Sequence, residues 1–212
     1  MPYVLHDNAR SSNAQKVRFL LAELGETAEL REVPFAQPRP DWHVAVNPTG
    51  GIPALVHGDF VLAESNTVLR YIATRSGDTQ IYPSDLPDRA TVNWLLDAIT
   101  TFLRPALLAV EEAAFGLRAG RGLGVEPVAE DGGRDALARV LPRLQVFQGL
   151  LDDASPWACC GRFTIADVAA TPVLHRLRSS GLDLTEIPRL AVWGEACCGR
   201  PAWAGIAATA GV

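Results

Sequence analysis

The chain has 212 residues, is 48% hydrophobic and 20% charged, and carries a formal net charge of −5. That balance fits a folded globular protein and excludes a disordered or low-complexity chain; without a basic block, a nucleic-acid-binding surface is not supported. The length allows one large domain or two small ones. No apolar run has the length of a membrane span. The N-terminal stretch "MPYVLHDNAR" lacks the basic head and apolar middle of a signal peptide, so a cytoplasmic protein is expected.

The first part of the chain alternates strand and helix. Tyr3 to His6 reads as a short strand, and Ser11 or Ser12 then caps a helix running to about Glu23. Its apolar positions Val17, Leu20, Leu21 and Leu24 follow the spacing of one helix face, and Gly25 is a suitable stop. Glu29 to Val33 reads as a second strand, giving a β-α-β unit with parallel strands. A proline-rich loop follows. Next come strand candidates Ala54 to His57 and Phe60 to Leu62, joined by Gly58-Asp59 as a hairpin. A helix begins near Ser65, with Val68, Leu69 and Ile72 on one face.

From about Gly77 to Pro87 the sequence turns polar and carries two prolines, as a linker does. Beyond it strand signals nearly vanish. Helices are expected over Asp88 to Leu117 with a kink at Pro105, over Asp135 to Leu151 with a possible break at Pro142, and over Thr164 to Arg178 with a kink at Pro172. Ile187 to Cys198 is expected as the last helix, and "GLRAGRGLGVEP" as a flexible break. The domain division is therefore 1–77, a linker over 78–87, and an all-helical part over 88–212.

Several chemistries find no support. Ser12 has Gln15 three residues on, so Ser-x-x-Lys is absent, and neither Gly-x-Ser-x-Gly nor a P-loop occurs. Gly120, Gly122 and Gly124 follow a helix instead of a strand and make no dinucleotide fingerprint. The histidines His6, His43, His57 and His175 read as scattered, with no metal pair. The adjacent pairs Cys159-Cys160 and Cys197-Cys198 lack zinc-ligand or C-x-x-C spacing and read as small, partly buried thiols. Thr164 and Asp167 have capping-box spacing, a stability device with no catalytic role.

Pro53 opens the third strand, although proline gives a sheet no N–H and is kept to strand starts, edges or bulges. Four stretches in order, "SSNAQKVRFLLAELG", "NPTGGIPAL", "LAESNTVLRYIA" and "GRFTIADVAATPVL", resemble motifs of the cytosolic glutathione S-transferases, particularly bacterial members with a serine or asparagine active site. The resemblance spans residues 1 to about 203. It implies an α/β thioredoxin-like N-terminal domain joined to an all-α C-terminal domain. It also implies glutathione as co-substrate, no metal, a small hydrophobic electrophile as second substrate, and a homodimer.

Residue by residue, the resemblance places the γ-glutamyl carboxylate of glutathione on Ser65, with Glu64 beside it to attract the ammonium. A helix N-terminus, with unpaired N–H groups, suits that carboxylate. The Ile52–Pro53 bond is expected to be cis, as X–Pro bonds can be, leaving the N–H and C=O of Ile52 to pair with the cysteinyl segment as an added strand would. The thiol needs a donor. A free thiol has a pKa near ~8.5 and is only ~3% thiolate at pH 7. Lowering it by about two units corresponds to roughly 2.7 kcal/mol, within reach of one hydroxyl at a helix N-terminus. Ser11 stands where serine-type classes carry this hydroxyl; Ser12 and Asn13 are rivals, and all three could simply cap the helix.

One position departs from the pattern. Gly51 stands where many relatives carry Lys or Gln to reach the glycyl carboxylate; His43, Trp42 or Arg10 could substitute. Phe102, Leu107, Leu108, Phe115 and the glycine-rich stretch after it, along with His6 to Ala9, are candidate walls for the second substrate. The reactions compatible with these residues are glutathione conjugation, glutathione-dependent peroxide or disulfide reduction (suggested by Asn13 and Lys16), and isomerisation (suggested by Ser11-Ser12). A non-catalytic binding protein on the same fold is the remaining possibility.

Overall fold

The structure, a computed structural model, describes residues 1–115 and 132–209. Its strand-bearing part is a four-stranded sheet in the order β2-β1-β3-β4. Strand β1 (Tyr3–Asp7) lies inside, with β2 (Ala28–Glu32) parallel to it on one side and β3 (Ala54–His57) antiparallel on the other. Strand β4 (Phe60–Leu62) pairs with β3 through a hairpin in which Gly58 takes φ +64°, as a tight turn requires. Helix α1 (Ser12–Glu23) makes the crossover, and its stripe of Val17, Leu20 and Leu21 is buried. Helix α3 (Ser65–Ser76) packs beside α1, burying Val68, Leu69 and Ile72.

The proline-rich loop contains a short helix, α2 (Asp41–Val44), that periodicity could not reveal in four residues. Both Gln37–Pro38 and Ile52–Pro53 are cis in this part of the chain.

The helical part begins earlier than expected. Helix α4 (Leu86–Ala98) starts inside the proline-bearing segment because Asp85 caps it from its side chain and Pro87 fits the first turn. The preceding segment is packed, with Ile81 and Tyr82 buried and the Ile81 carbonyl accepting from the N–H of Ile165. At Pro105 there is no simple kink. A π-helical turn over Ile99–Leu103 joins α4 to α5 (Arg104–Phe115). Proline cannot donate to the carbonyl four residues back; that carbonyl, on Thr101, accepts from Arg143 at 3.0 Å.

Helices α6 (Gly132–Gln148) and α7 (Ile165–Ser179) run unbroken through Pro142 and Pro172. Helix α8 is Pro188–Cys198, and a further helix α9 (Pro201–Ala207) follows it, started by Pro201. The expected extension of α5 to Leu117, the "GLRAGRGLGVEP" stretch and its glycines lie outside the described residues.

Helix α7 packs against α1, α4, α5 and α8 and is the hub of the helical part. Its capping box forms as its spacing predicts: Thr164 N–H donates to Asp167 at 2.7 Å and the Thr164 hydroxyl accepts from Ala166 N–H. The buried Asp167 carboxylate also accepts from Ala158 N–H and from Trp193 Nε1, each at 2.8 Å. Burial raises its pKa, and these hydrogen bonds oppose the rise. Glu23 of α1 meets Arg200 in two short bonds of 2.7 and 2.6 Å, tying the first part to the start of α9.

Candidate active site

The sheet topology gathers the three predicted motifs at one end. Strand β1 ends at Asp7 and leads into the N-terminus of α1. Strand β3 is antiparallel to β1, and His6 is paired with Ala54, so Ile52 and Pro53 stand at that same end. Strand β4 returns to it, with Leu62 paired to Leu55, and delivers Glu64 and Ser65.

Ser11 is the N-cap of α1, its hydroxyl accepting from Ala14 N–H at 3.3 Å. Ser12, the first helical residue, accepts from Arg104 Nη1 at 2.7 Å. Both serines are buried, and Asn13 beside them is half-buried. Ser65 opens α3. The preceding Glu64 takes φ +64° and makes no side-chain cap, so the first N–H groups of α3 lack that partner. A non-glycine residue held at positive φ marks a backbone constrained by its surroundings. Ile52, half-buried, has no backbone hydrogen-bond partner among the described residues.

Beneath this edge lies a brace that the sequence did not disclose. His43 Nε2 is 3.0 Å from the carbonyl oxygen of Gly51, which also accepts from Asn47 Nδ2 at 2.8 Å. His43 Nδ1 is 3.0 Å from Nδ1 of His6. A carbonyl only accepts, so His43 Nε2 carries a hydrogen; in the neutral arrangement His6 then donates to His43. Burial, with His43 and Arg31 adding to it, lowers the His6 pKa to about 4. Two of the histidines taken as scattered are therefore a bonded pair. Trp42 stands edge-on to His6 and stacks under the Arg31 guanidinium. His43 thus holds Gly51 through its carbonyl, and Trp42 packs edge-on against both histidines.

Arg10 is exposed at the rim of a cavity of about 440 Å³, together with Asn8, Glu32, Pro34 and Phe35. Phe102, expected as a wall for the second substrate, stacks on Phe147 with Arg143 over its face and lines a separate groove against α6. Phe115 is half-buried at the described end of α5, and Leu107 is in the core.

Further charged groups lie close by. Lys16, only 4% exposed, donates to Asn66 Oδ1 at 2.6 Å, and Asn66 donates to the Leu96 carbonyl and the Thr100 hydroxyl on the helical side. Burial, reinforced by Arg104, pushes the Lys16 pKa down to about 7, with Glu64 opposing. Arg176 forms a buried ion pair with Glu111 at 2.8 Å and donates to the Arg10 carbonyl at 2.6 Å. In the sequence Lys16 stands out only beside Asn13, as a pointer to glutathione-dependent reduction; Arg104 and Arg176 carry no such signal. The four cysteines are free thiols, and burial raises their pKa values, that of Cys198 to about 11. Such thiols are poor nucleophiles at neutral pH.

A thioredoxin-like sheet with a serine-bearing helix N-terminus, joined to a helical domain built on a capped central helix, defines the class of protein. Family models agree. Residues 1–74 match the glutathione S-transferase N-terminal domain, and residues 118–204 match the C-terminal domain. Glutathione S-transferase 3 of Zea mays is 31% identical over 95% of this chain and 91% of its own. Maleylacetoacetate isomerase of Rhizobium meliloti is 29% identical over 94% of this chain and 93% of its own. A crystal structure of a possible glutathione S-transferase from Rhodopseudomonas palustris superimposes with a TM-score of 0.75 at 27% identity, covering 95% and 96% of the two chains. The chain belongs to the glutathione S-transferase family.

Proposed function

We propose that the protein is a glutathione transferase that binds glutathione along the shared end of β1 and β3, holds its sulfur as thiolate and adds it to a small electrophile. The observation that carries this is the convergence of three unrelated sequence segments. The serine turn of α1, the free backbone edge at Ile52 and Pro53, and the uncapped start of α3 at Glu64 and Ser65 open on one end of one sheet. Their chemistry matches glutathione: N–H groups for the γ-glutamyl carboxylate, a strand edge for the cysteinyl amide, and hydroxyls for the sulfur. Stabilising an anion with donors already in place is an efficient use of a protein site. The cavity beside Arg10 and Phe35 adjoins the serine turn and is where the electrophile would enter.

A second reaction on the same complex is favoured by one observation. A maleylacetoacetate isomerase aligns over nearly the whole chain, and the Ser11-Ser12 pair suits that reading. Glutathione-dependent reduction would use the same thiolate. A non-catalytic glutathione binder is kept in view by Gly51, which has no side chain to reach the glycyl carboxylate. The protein is expected to act in the cytoplasm as a homodimer without nucleic-acid or membrane partners; among the described residues no helix is long and apolar enough to cross a membrane.

The test is retention on immobilised glutathione, followed by assays of conjugation, cis–trans isomerisation and peroxide reduction. Retention with conjugation supports the transferase, and retention with isomerisation alone supports the second reading. Retention without turnover supports a binder. A protein that ignores glutathione overturns all of them. Light scattering near twice the 22.7 kDa chain mass would support the dimer.

A further inference from the structure

The helical part reaches across to the serine turn at two points. Arg104 Nη1 donates to the Ser12 hydroxyl oxygen at 2.7 Å, and Arg176 Nη2 donates to the Arg10 carbonyl at 2.6 Å. Glu111 joins them: it pairs with Arg176 and, two turns along the same helix from Arg104, opposes the fall that burial causes in the Arg104 pKa. One oxygen of Glu111 and the Nε of Arg176 are buried with no hydrogen-bond partner. Arg176 is thus paired with Glu111, while Arg104, on the same helix as Glu111, lies within the field of that carboxylate behind the N-terminus of α1. Lys16 lies close enough to Arg104 to feel its charge. Arg104 and Lys16 bring positive charge, opposed in part by Glu64, to a place where helical N–H groups already favour an anion.

The bond at Ser12 has a direction. Arginine has donors and no acceptor, so the Ser12 oxygen accepts, and its own hydrogen must point away from Arg104. An oxygen that accepts from a cation is polarised and becomes a stronger donor through its remaining O–H. Ser11 lacks this help: its oxygen accepts a neutral N–H at the longer distance of 3.3 Å. We propose that Arg104 is a positioning residue that turns and polarises Ser12, making Ser12 the hydroxyl that holds the anionic sulfur. This rests on the glutathione reading and specifies which group of the serine turn carries it, and through what partner.

The test uses the full-length protein with glutathione bound, reading the pKa of the bound thiol from the ultraviolet absorbance of the thiolate. Arg104→Gln should raise that pKa by about one unit, a roughly tenfold loss of thiolate near neutral pH. Arg104→Lys should restore most of the shift, since it returns the charge. In a Ser12→Ala background, Arg104→Gln should have little further effect, while Ser11→Ala should leave the sensitivity to Arg104 intact. A structural role for Arg104 would lower the melting temperature without moving the thiol pKa, and that result overturns the proposal. So does a pKa that responds to Ser11→Ala and not to Ser12→Ala.

A reporter independent of glutathione separates this inference from the functional reading. In Ser12→Cys, the rate of alkylation of the new thiol against pH gives its pKa directly, with the modified peptide identified by mass. Adding Arg104→Gln should raise that pKa by a similar amount. If the native protein binds no glutathione but the reporter depends on Arg104, the transferase reading fails and the Arg104-supported anion site stands. A reporter indifferent to Arg104 overturns the inference.

Discussion

His43 holds the carbonyl of Gly51 from below, with Nε2 3.0 Å from the oxygen. The neighbouring glycine is fixed differently. Gly50 takes φ +67°, and a Cβ there would lie 3.2 Å from Arg39 Cγ, whereas Gly51 has ordinary backbone geometry and a Cβ there would meet only Thr49 Oγ1 at 3.2 Å and Asn47 Nδ2 at 3.4 Å. Gly50→Ala should therefore destabilise the fold by about 1–2 kcal/mol, the cost of a left-handed non-glycine residue. Gly51→Gln should be tolerated after a small shift of Thr49. Its amide, donating to the glycyl carboxylate, should tighten glutathione binding by roughly tenfold. Urea unfolding and calorimetric titration would check the pair; a Gly51→Gln protein with unchanged affinity would contradict the placement of the glycyl end.

The histidine brace predicts an acid sensitivity. His6 has its pKa lowered from 6.5 to about 4 by burial first, then by His43 and Arg31. Between those values the unfolded chain takes up a proton that the folded protein refuses, so stability falls as pH drops from 6.5 towards 4 and levels off below it. His6→Asn retains an amide donor near the Nδ1 position and does not titrate. It should flatten the slope across this window in denaturant unfolding. An equally steep curve in the variant would show that other groups carry the acid response.

How much of this was legible in the sequence depends on distance along the chain. Val17, Leu20 and Leu21 declared α1 through local spacing, and Thr164 with Asp167 declared their cap for the same reason. Ile52–Pro53 and Glu64–Ser65 were legible because each is a short motif at a strand end. Arg104 and Ser12 are 92 positions apart, and His6 and His43 are 37 apart, so no local pattern records either contact. Phe102 stacks on Phe147 under Arg143, a packing that its apolar stripe could not announce because such a stripe does not say which neighbour it faces. The π turn before Arg104 adds to this difficulty, since it changes the helix phase just where the side chains diverge between α6 and the serine turn.

Asp167 should be a stability residue without a chemical role. Its carboxylate accepts from Thr164 N–H and hydroxyl, Ala158 N–H and Trp193 Nε1, all in the interior. Asp167→Ala would leave three buried N–H donors unpaired, at about 1–3 kcal/mol each. That sum is comparable to the whole stability of an ordinary domain. The variant should be largely unfolded at room temperature, with the Trp193 fluorescence shifted towards that of exposed indole. A folded Asp167→Ala protein would mean that water replaces the carboxylate.

Lys16 predicts the opposite kind of pH dependence. Its pKa falls from 10.5 to about 7, through burial first and Arg104 second, with Glu64 opposing. From pH 7 to 10.5 the unfolded chain holds a proton that the folded protein releases, so the lysine's contribution to stability rises with pH across that interval. Lys16→Met removes the titration and leaves Asn66 Oδ1 without its 2.6 Å donor, a cost that does not vary with pH. The stability of the native protein relative to this variant should therefore climb with pH between 7 and 10.5. The slope approaches, at most, about 1.4 kcal/mol per pH unit. Below pH 7 the folded lysine is charged and adds its field to that of Arg104 behind Ser12. The variant should then show a weaker acid-side hold on the glutathione thiolate. Parallel stability curves for the two proteins would show that Lys16 titrates normally and that the positive field behind the serine turn comes from the arginines alone.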